Sequence, residues 1–118
     1  MKKTISILGS TGSIGLNTFK IIEKQKKNFN INALSANKNF NLICKQIKKY
    51  KPNFFIINDH NIFKKVQRKF KKKKIKIYNN YESIKSKKIS DITISAIPGI
   101  AGLKPTILFT KKSKKILI

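Results

Sequence analysis

Six short apolar runs alternate with stretches whose apolar residues recur at helical spacing, and this alternation constrains the fold more than any other feature. The runs are "TISIL" (4–8), "INALSA" (31–36), "NFFIIN" (53–58), "IKIY" (75–78), "DITISAI" (91–97) and "KKILI" (114–118). Between the first two, Ile14, Thr18, Ile21 and Ile22 share one helical face and predict a helix over residues 13–26. Phe40, Ile43, Cys44 and Ile47 form an amphipathic stripe that Pro52 terminates, and Ile62, Phe63, Val66 and Phe70 mark a third helix. "YESIK" (81–85) reads as a helical turn, and "PGIAGLKPTILF" (98–109) as a turn entering a further helix with Pro105 in its first turn. Strands and helices that alternate through short loops pair as a parallel sheet with helices on its faces. The fold class is therefore α/β, a doubly wound, mostly parallel, Rossmann-like sheet, and 118 residues hold at most one domain. The apolar "ILI" at the end reads as a strand cut before its loop, so the domain is expected to be truncated.

Directly behind the first run, "LGSTGSIG" (8–15) spends three of the chain's five glycines, Gly9, Gly12 and Gly15, at a three-residue spacing. Glycine supplies backbone angles closed to other residues and lets a ligand approach bare backbone. A helix starting near Ser13 aims its unpaired amides and positive dipole end at the same space, which suits a diphosphate. Ser10, Thr11 and Ser13 add hydroxyl donors. A purely structural turn capped by serine would use the same residues. The pattern G-x-x-G-x-x-G is a relative of the dinucleotide fingerprint common in NADP-dependent enzymes. The second run ends in Ser35, Asn37, Lys38 and Asn39, without the carboxylate that holds the ribose hydroxyls in NAD binders. A lysine and short polar side chains attract a 2′-phosphate, so NADPH is favoured over NADH.

Little else carries chemistry. The acids Glu23, Asp59, Glu82 and Asp91 fall in different predicted elements, with no paired spacing for a metal or for acid–base work. His60, the lone histidine, reads as a solvated residue at a strand–helix corner, and Cys44 as core. One cysteine allows no internal disulfide, no apolar run approaches the ~18 residues of a membrane span, and no signal peptide is evident, so the chain reads as cytoplasmic. The net charge of +24 raises nucleic-acid binding. Yet Arg68 is the only arginine among 28 basic residues, and lysine, Ile, Asn and Phe are all favoured by A/T-rich codons. The lysines also run along the whole chain, "FKKKKIK" (70–76) included, so codon bias and a solvated surface account for them better than a nucleic-acid site does.

Three stretches in order, "ILGSTGSIG" (7–15), "ALSANKN" (33–39) and "SAIPGIAGLKPTI" (95–107), resemble the N-terminal part of 1-deoxy-D-xylulose 5-phosphate reductoisomerase. The third is the most specific, since several NADP reductases share the first, and the resemblance runs along all 118 residues. It implies an oxidoreductase of non-mevalonate isoprenoid biosynthesis. Such an enzyme performs the NADPH-dependent rearrangement and reduction of 1-deoxy-D-xylulose 5-phosphate to 2-C-methyl-D-erythritol 4-phosphate. The resemblance assigns the diphosphate turn to Thr11, Gly12, Ser13 and Ile14, and the adenosine-phosphate loop to Asn37, Lys38 and Asn39. The family typically reads Ala-Gly-Lys-Asn where this chain has Ala36-Asn37-Lys38-Asn39, and valine where it has Pro98. Family members continue past the strand matching "KKILI" into an Ala-Asn-Lys-Glu motif. They then supply the carboxylates for a divalent metal (Mg or Mn), a substrate-phosphate site, a lid and a C-terminal helical domain, and the resemblance implies a homodimer. Residues 1–118 are thus expected to be an incomplete N-terminal NADPH-binding domain that holds cofactor and does not catalyse alone. It is expected to carry no catalytic or metal-ligating residues and to engage neither a specific nucleic acid nor a membrane. Two other classes stay open: a basic nucleic-acid-binding module and a noncatalytic NADP-sensing domain.

Overall fold

The computed structural model describes residues 2–84, 90–97 and 113–117. Six parallel strands form one sheet: β1 (Lys3–Leu8), β2 (Phe29–Ala36), β3 (Phe54–Ile57), β4 (Lys76–Tyr78), β5 (Ser90–Ser95) and β6 (Ser113–Leu117). Their order, β4-β3-β2-β1-β5-β6, builds outward from β1 in one direction and then crosses to its other side. The strand order reverses beside β1, so its C-terminal end opens on the crevice where doubly wound sheets bind ligands.

Helices α1 (Ser13–Glu23), α2 (Phe40–Tyr50) and α3 (His60–Lys69) link the first four strands. Their buried side chains, among them Phe19, Ile22, Ile43, Ile47 and Val66, join Ile5, Ile7, Ile31, Phe55 and Ile57 in one cluster on one face of the sheet. Leu8, Ala33 and Ile56 point to the other face, where Tyr81 and Ile84 cover them. Full burial of side chains such as Phe55 and Ile57 stabilises by ~1.5–3 kcal/mol each. A bulge in β2 falls between the pairs Ile5↔Ile31 and Ser6↔Ala33, leaving Asn32 as the extra residue. The bulge switches the alternation, so that Ile31 and Leu34 face the same cluster.

The period of α1 is as predicted, but its buried face is not Ile14, Thr18, Ile21 and Ile22. Gly15, Phe19 and Ile22 face the sheet, while Ile14 and Ile21 are 62% and 65% exposed. The cause is Gly15: a Cβ there would lie 2.4 Å from the Gly9 carbonyl oxygen, so this side of the helix is the one pressed against the turn. The helix also stops at Glu23, and Lys26–Asn28 form a separate 3-10 turn. Residues 98–109, read as a turn and helix, lie outside the described residues. "YESIK" opens as a turn in which Asn80 Oδ1 accepts from the Ser83 amide at 2.8 Å.

Helix α2 ends on Lys51, the one non-glycine residue with positive φ (48°) among those described, ahead of Pro52. Its amide still closes the helix by donating to the Ile47 carbonyl at 3.1 Å. A left-handed lysine costs about 1 kcal/mol more than glycine in the same conformation. Lys51→Gly is therefore expected to raise the urea unfolding free energy by ~0.5–1 kcal/mol; an unchanged or lower value would contradict that left-handed cap.

Candidate functional site

The glycine turn and the end of β2 form side by side. The amides of Gly9 and Ser10 donate to the Ser35 carbonyl at 3.0 and 2.8 Å, and Gly9 N–H also reaches Ser35 Oγ at 3.0 Å. Ser35 Oγ in turn accepts from the buried Tyr81 hydroxyl at 3.0 Å. Burial holds the Tyr81 phenol above its ordinary pKa, so it stays a neutral donor to this seam. On the other side of β1, the Ala96 amide donates to the Leu8 carbonyl at 2.8 Å. The C-terminal ends of β1, β2 and β5 therefore lie together.

The three glycines do three different things. Gly9 has φ +80°, and a Cβ there would sit 3.0 Å from the Ala96 carbonyl oxygen, so it makes the bend. Gly15 lets α1 seat on the turn, as described above. Gly12 has ordinary extended angles (φ −82°, ψ 175°), and a Cβ there would meet nothing closer than the Gly9 oxygen at 3.8 Å. The fold itself does not require a glycine at position 12; a ligand approaching the backbone would.

Gly12 is also the N-cap of α1, so the serine-capped structural turn does not form. Asn39 caps α2 by accepting from the Leu42 amide at 3.2 Å, and Asp59 caps α3 by accepting from the Ile62 amide at 3.1 Å. α1 has no side-chain cap. Its first ladder bond runs from Leu16 N–H to the Gly12 carbonyl at 2.9 Å, so the amides of Ser13, Ile14 and Gly15 lie ahead of the ladder. Among the described residues no acceptor pairs with them. Unpaired amides at the positive end of a helix are an anion cradle.

Thr11 lies in the turn, half-buried, and Ser13 and Ile14 are exposed in the first turn of α1. Asn37 and Lys38 form an exposed bend beside them, and Asn39 caps α2. Asn37 does not have positive φ, so the backbone here does not demand the glycine usual at that position. Ser10 is a correction to the sequence reading. Its side chain is wholly buried and its hydroxyl donates to Gln46 Oε1 at 2.7 Å, so it offers a ligand nothing. Gln46 Nε2 completes the clasp by donating to the Ser10 carbonyl at 2.9 Å. Sequence reasoning missed Gln46, although a polar residue between Ile43 and Ile47 on an apolar stripe is a signal that something polar lies opposite.

Three of the four acids serve the fold. Glu23 accepts from the Tyr50 hydroxyl at 2.7 Å and pairs with Lys49; Asp59 caps α3; Asp91 Oδ2 accepts from the Thr4 amide at 3.0 Å. Burial and the Glu23 carboxylate hold the Tyr50 phenol far above its ordinary pKa. Burial likewise pushes the Cys44 thiol up, which fits a core residue rather than a nucleophile. His60 is exposed at the start of α3. Among the described residues no three of His, Cys, Asp and Glu come together as a metal site, and no helix is long and apolar enough to cross a membrane. Lys48, Lys51, Lys73 and Lys74 rim a pocket over Ile47, Pro52, Phe70 and Ile75. It lies at the opposite end of the sheet, by the C-terminal ends of α2 and α3, whose carbonyls oppose an anion.

The chain matches the family model of 1-deoxy-D-xylulose 5-phosphate reductoisomerase over residues 5–118. It belongs to that family. It is 40% identical over 121 residues to the 1-deoxy-D-xylulose 5-phosphate reductoisomerase of Pelagibacter ubique, covering 98% of this chain and 31% of the relative. The corresponding protein of Buchnera aphidicola subsp. Acyrthosiphon pisum is 36% identical over 121 residues, with 98% and 30% covered. Among solved structures, the reductoisomerase from Zymomonas mobilis in complex with NADPH aligns at TM-score 0.86 and 26% identity, over 98% of this chain and 31% of its own. A reductoisomerase in complex with NADPH, fosmidomycin and magnesium aligns at TM-score 0.88 and 26% identity, over 98% and 29%. The chain thus spans under a third of the length of these reductoisomerases.

Proposed function

We propose that residues 1–118 are the N-terminal NADPH-binding portion of a 1-deoxy-D-xylulose 5-phosphate reductoisomerase. The observation that carries this reading is the uncapped N-terminus of α1, fronted by Gly12, at the end of a turn whose Gly9 and Ser10 amides bond Ser35 at the foot of the Asn37–Asn39 loop. The residues fit the cofactor. The amides of Ser13 and Ile14, with Thr11 and the bare Gly12 backbone, hold the diphosphate, and Lys38 with Asn37 and Asn39 holds the adenosine 2′-phosphate. Bound there, NADPH supplies the hydride; this chain's residues bind and orient it at the crevice beside β1. The whole protein then rearranges and reduces 1-deoxy-D-xylulose 5-phosphate to 2-C-methyl-D-erythritol 4-phosphate. It works in the cytoplasm as a homodimer, with a divalent metal held by residues outside this 118-residue portion.

A side-by-side thermal unfolding series with NADPH, NADH and a short DNA duplex tests the reading. A ligand at a hundred times its Kd stabilises by about 2.7 kcal/mol, so NADPH is expected to raise the midpoint by several degrees and NADH by clearly less. A chain indifferent to NADPH but stabilised by the duplex, with an effect that vanishes as salt rises, would instead support the polyanion alternative.

A further inference from the structure

We infer that Gln46 is a positioning residue for the cofactor's diphosphate, acting through Ser10. The inference rests on the NADPH reading above. Gln46 is 4% exposed and Ser10 fully buried, and the glutamine amide both accepts from the Ser10 hydroxyl and donates to the Ser10 carbonyl, at 2.7 and 2.9 Å. The Ser10 amide is already bonded to the Ser35 carbonyl. Every polar atom of Ser10 is therefore held by protein, and the next residue, Thr11, begins the diphosphate turn.

The clasp comes from α2, the helix that Asn39 caps. Asn39 and Gln46 stand seven residues apart, about 10 Å along one rigid helix. One end of α2 thus carries the adenosine-phosphate loop and its middle grips the diphosphate turn. Hydrogen bonds from β2 fix the turn's height above the sheet; the glutamine fixes its distance from the loop. A binding site for a ligand as long as a dinucleotide needs that separation set before the ligand arrives, since a turn free to drift has to be ordered on binding.

The test compares two ligands on the chain and its variants. NADPH spans both halves of the site; adenosine 2′-monophosphate carries the 2′-phosphate and no diphosphate. Gln46→Leu removes both bonds at nearly constant volume, and Ser10→Ala removes only the hydroxyl bond. The NADPH affinity of Gln46→Leu is expected to fall roughly tenfold and that of Ser10→Ala about threefold, the scale of one or two buried hydrogen bonds. Binding of adenosine 2′-monophosphate, followed by amide chemical shifts, is expected to stay within about twofold of the wild type, since its loop keeps its own cap. The double variant is expected to bind NADPH no more weakly than Gln46→Leu, because the two side chains act as a unit. A parallel loss of both ligands marks Gln46 as merely structural and overturns the inference; so does unchanged NADPH binding. If Gln46→Leu does not fold, Ser10→Ala decides by the same comparison. A wild-type chain that binds no NADPH defeats the proposed function itself, an outcome visible before any variant is made.

Discussion

Gly12→Asp is expected to abolish measurable NADPH binding while leaving the fold as stable as before or more so. The two effects separate because Gly12 is open on the protein side. Its angles are ordinary for any residue, and a Cβ meets only the Gly9 oxygen at 3.8 Å. Aspartate is also among the best N-caps: its carboxylate accepts from the first-turn amides and lies at the positive end of α1, which together add about 1 kcal/mol. Those are the amides proposed to hold the diphosphate, so the variant fills the cradle with its own anion. Two unit charges about 4 Å apart at an effective dielectric of ~20 repel by about 4 kcal/mol, so a loss of a hundredfold or more is expected. Titration with NADPH and urea unfolding of the same preparation read both effects. Wild-type affinity in a folded Gly12→Asp chain would show that the diphosphate does not sit on this helix. A collapse of stability would show that Gly12 serves the fold after all.

Among the described residues the strand and helix order was legible because each element carries its own period, and the six runs became the six strands. What remained hidden was anything that depends on a partner distant in sequence. The three glycines look alike in "LGSTGSIG", yet only their neighbours distinguish a bend at Gly9, an open approach at Gly12 and a contact at Gly15. Ile14 and Ile21 look like core by period, and the Gly15 contact turns them outward. Ser10 looks like a ligand donor until Gln46, 36 residues away, takes its hydroxyl. The bulge at Asn32 has no glycine or proline to announce it; its side chain accepts from Asn53 Nδ2 at 2.7 Å, a pairing across strands that no local pattern contains. Two signals were local and went unread: Asn39 and Asp59 each stand directly before an apolar stripe, the ordinary mark of a capped helix start, and each caps its helix. Against those two, the uncapped start of α1 is the informative exception, because natural chains depart from local rules chiefly at functional sites.

Gly15→Ala is the complementary case, expected to cost stability first and binding only as a consequence. One methyl group at this position would lie 2.4 Å from the Gly9 oxygen and 2.9 Å from Ser10 Cα and carbonyl carbon, all backbone atoms. No side chain can rotate away to make room. Relief requires α1 to move off the turn, and that opens the contact of Phe19 and Ile22 with the sheet. Alanine is otherwise the better helix former by about 1 kcal/mol, so propensity alone predicts a gain. Overpacking against fixed backbone outweighs it, and a net loss of about 2–3 kcal/mol in urea unfolding is expected. A domain with 5–15 kcal/mol in total tolerates that and remains folded. NADPH binding should weaken as well, because the displaced helix carries the amides proposed to hold the diphosphate. The sign is what discriminates: a Gly15→Ala chain more stable than wild type would mean that α1 does not rest on the Gly9 carbonyl, and the geometry of the turn would have to be redrawn.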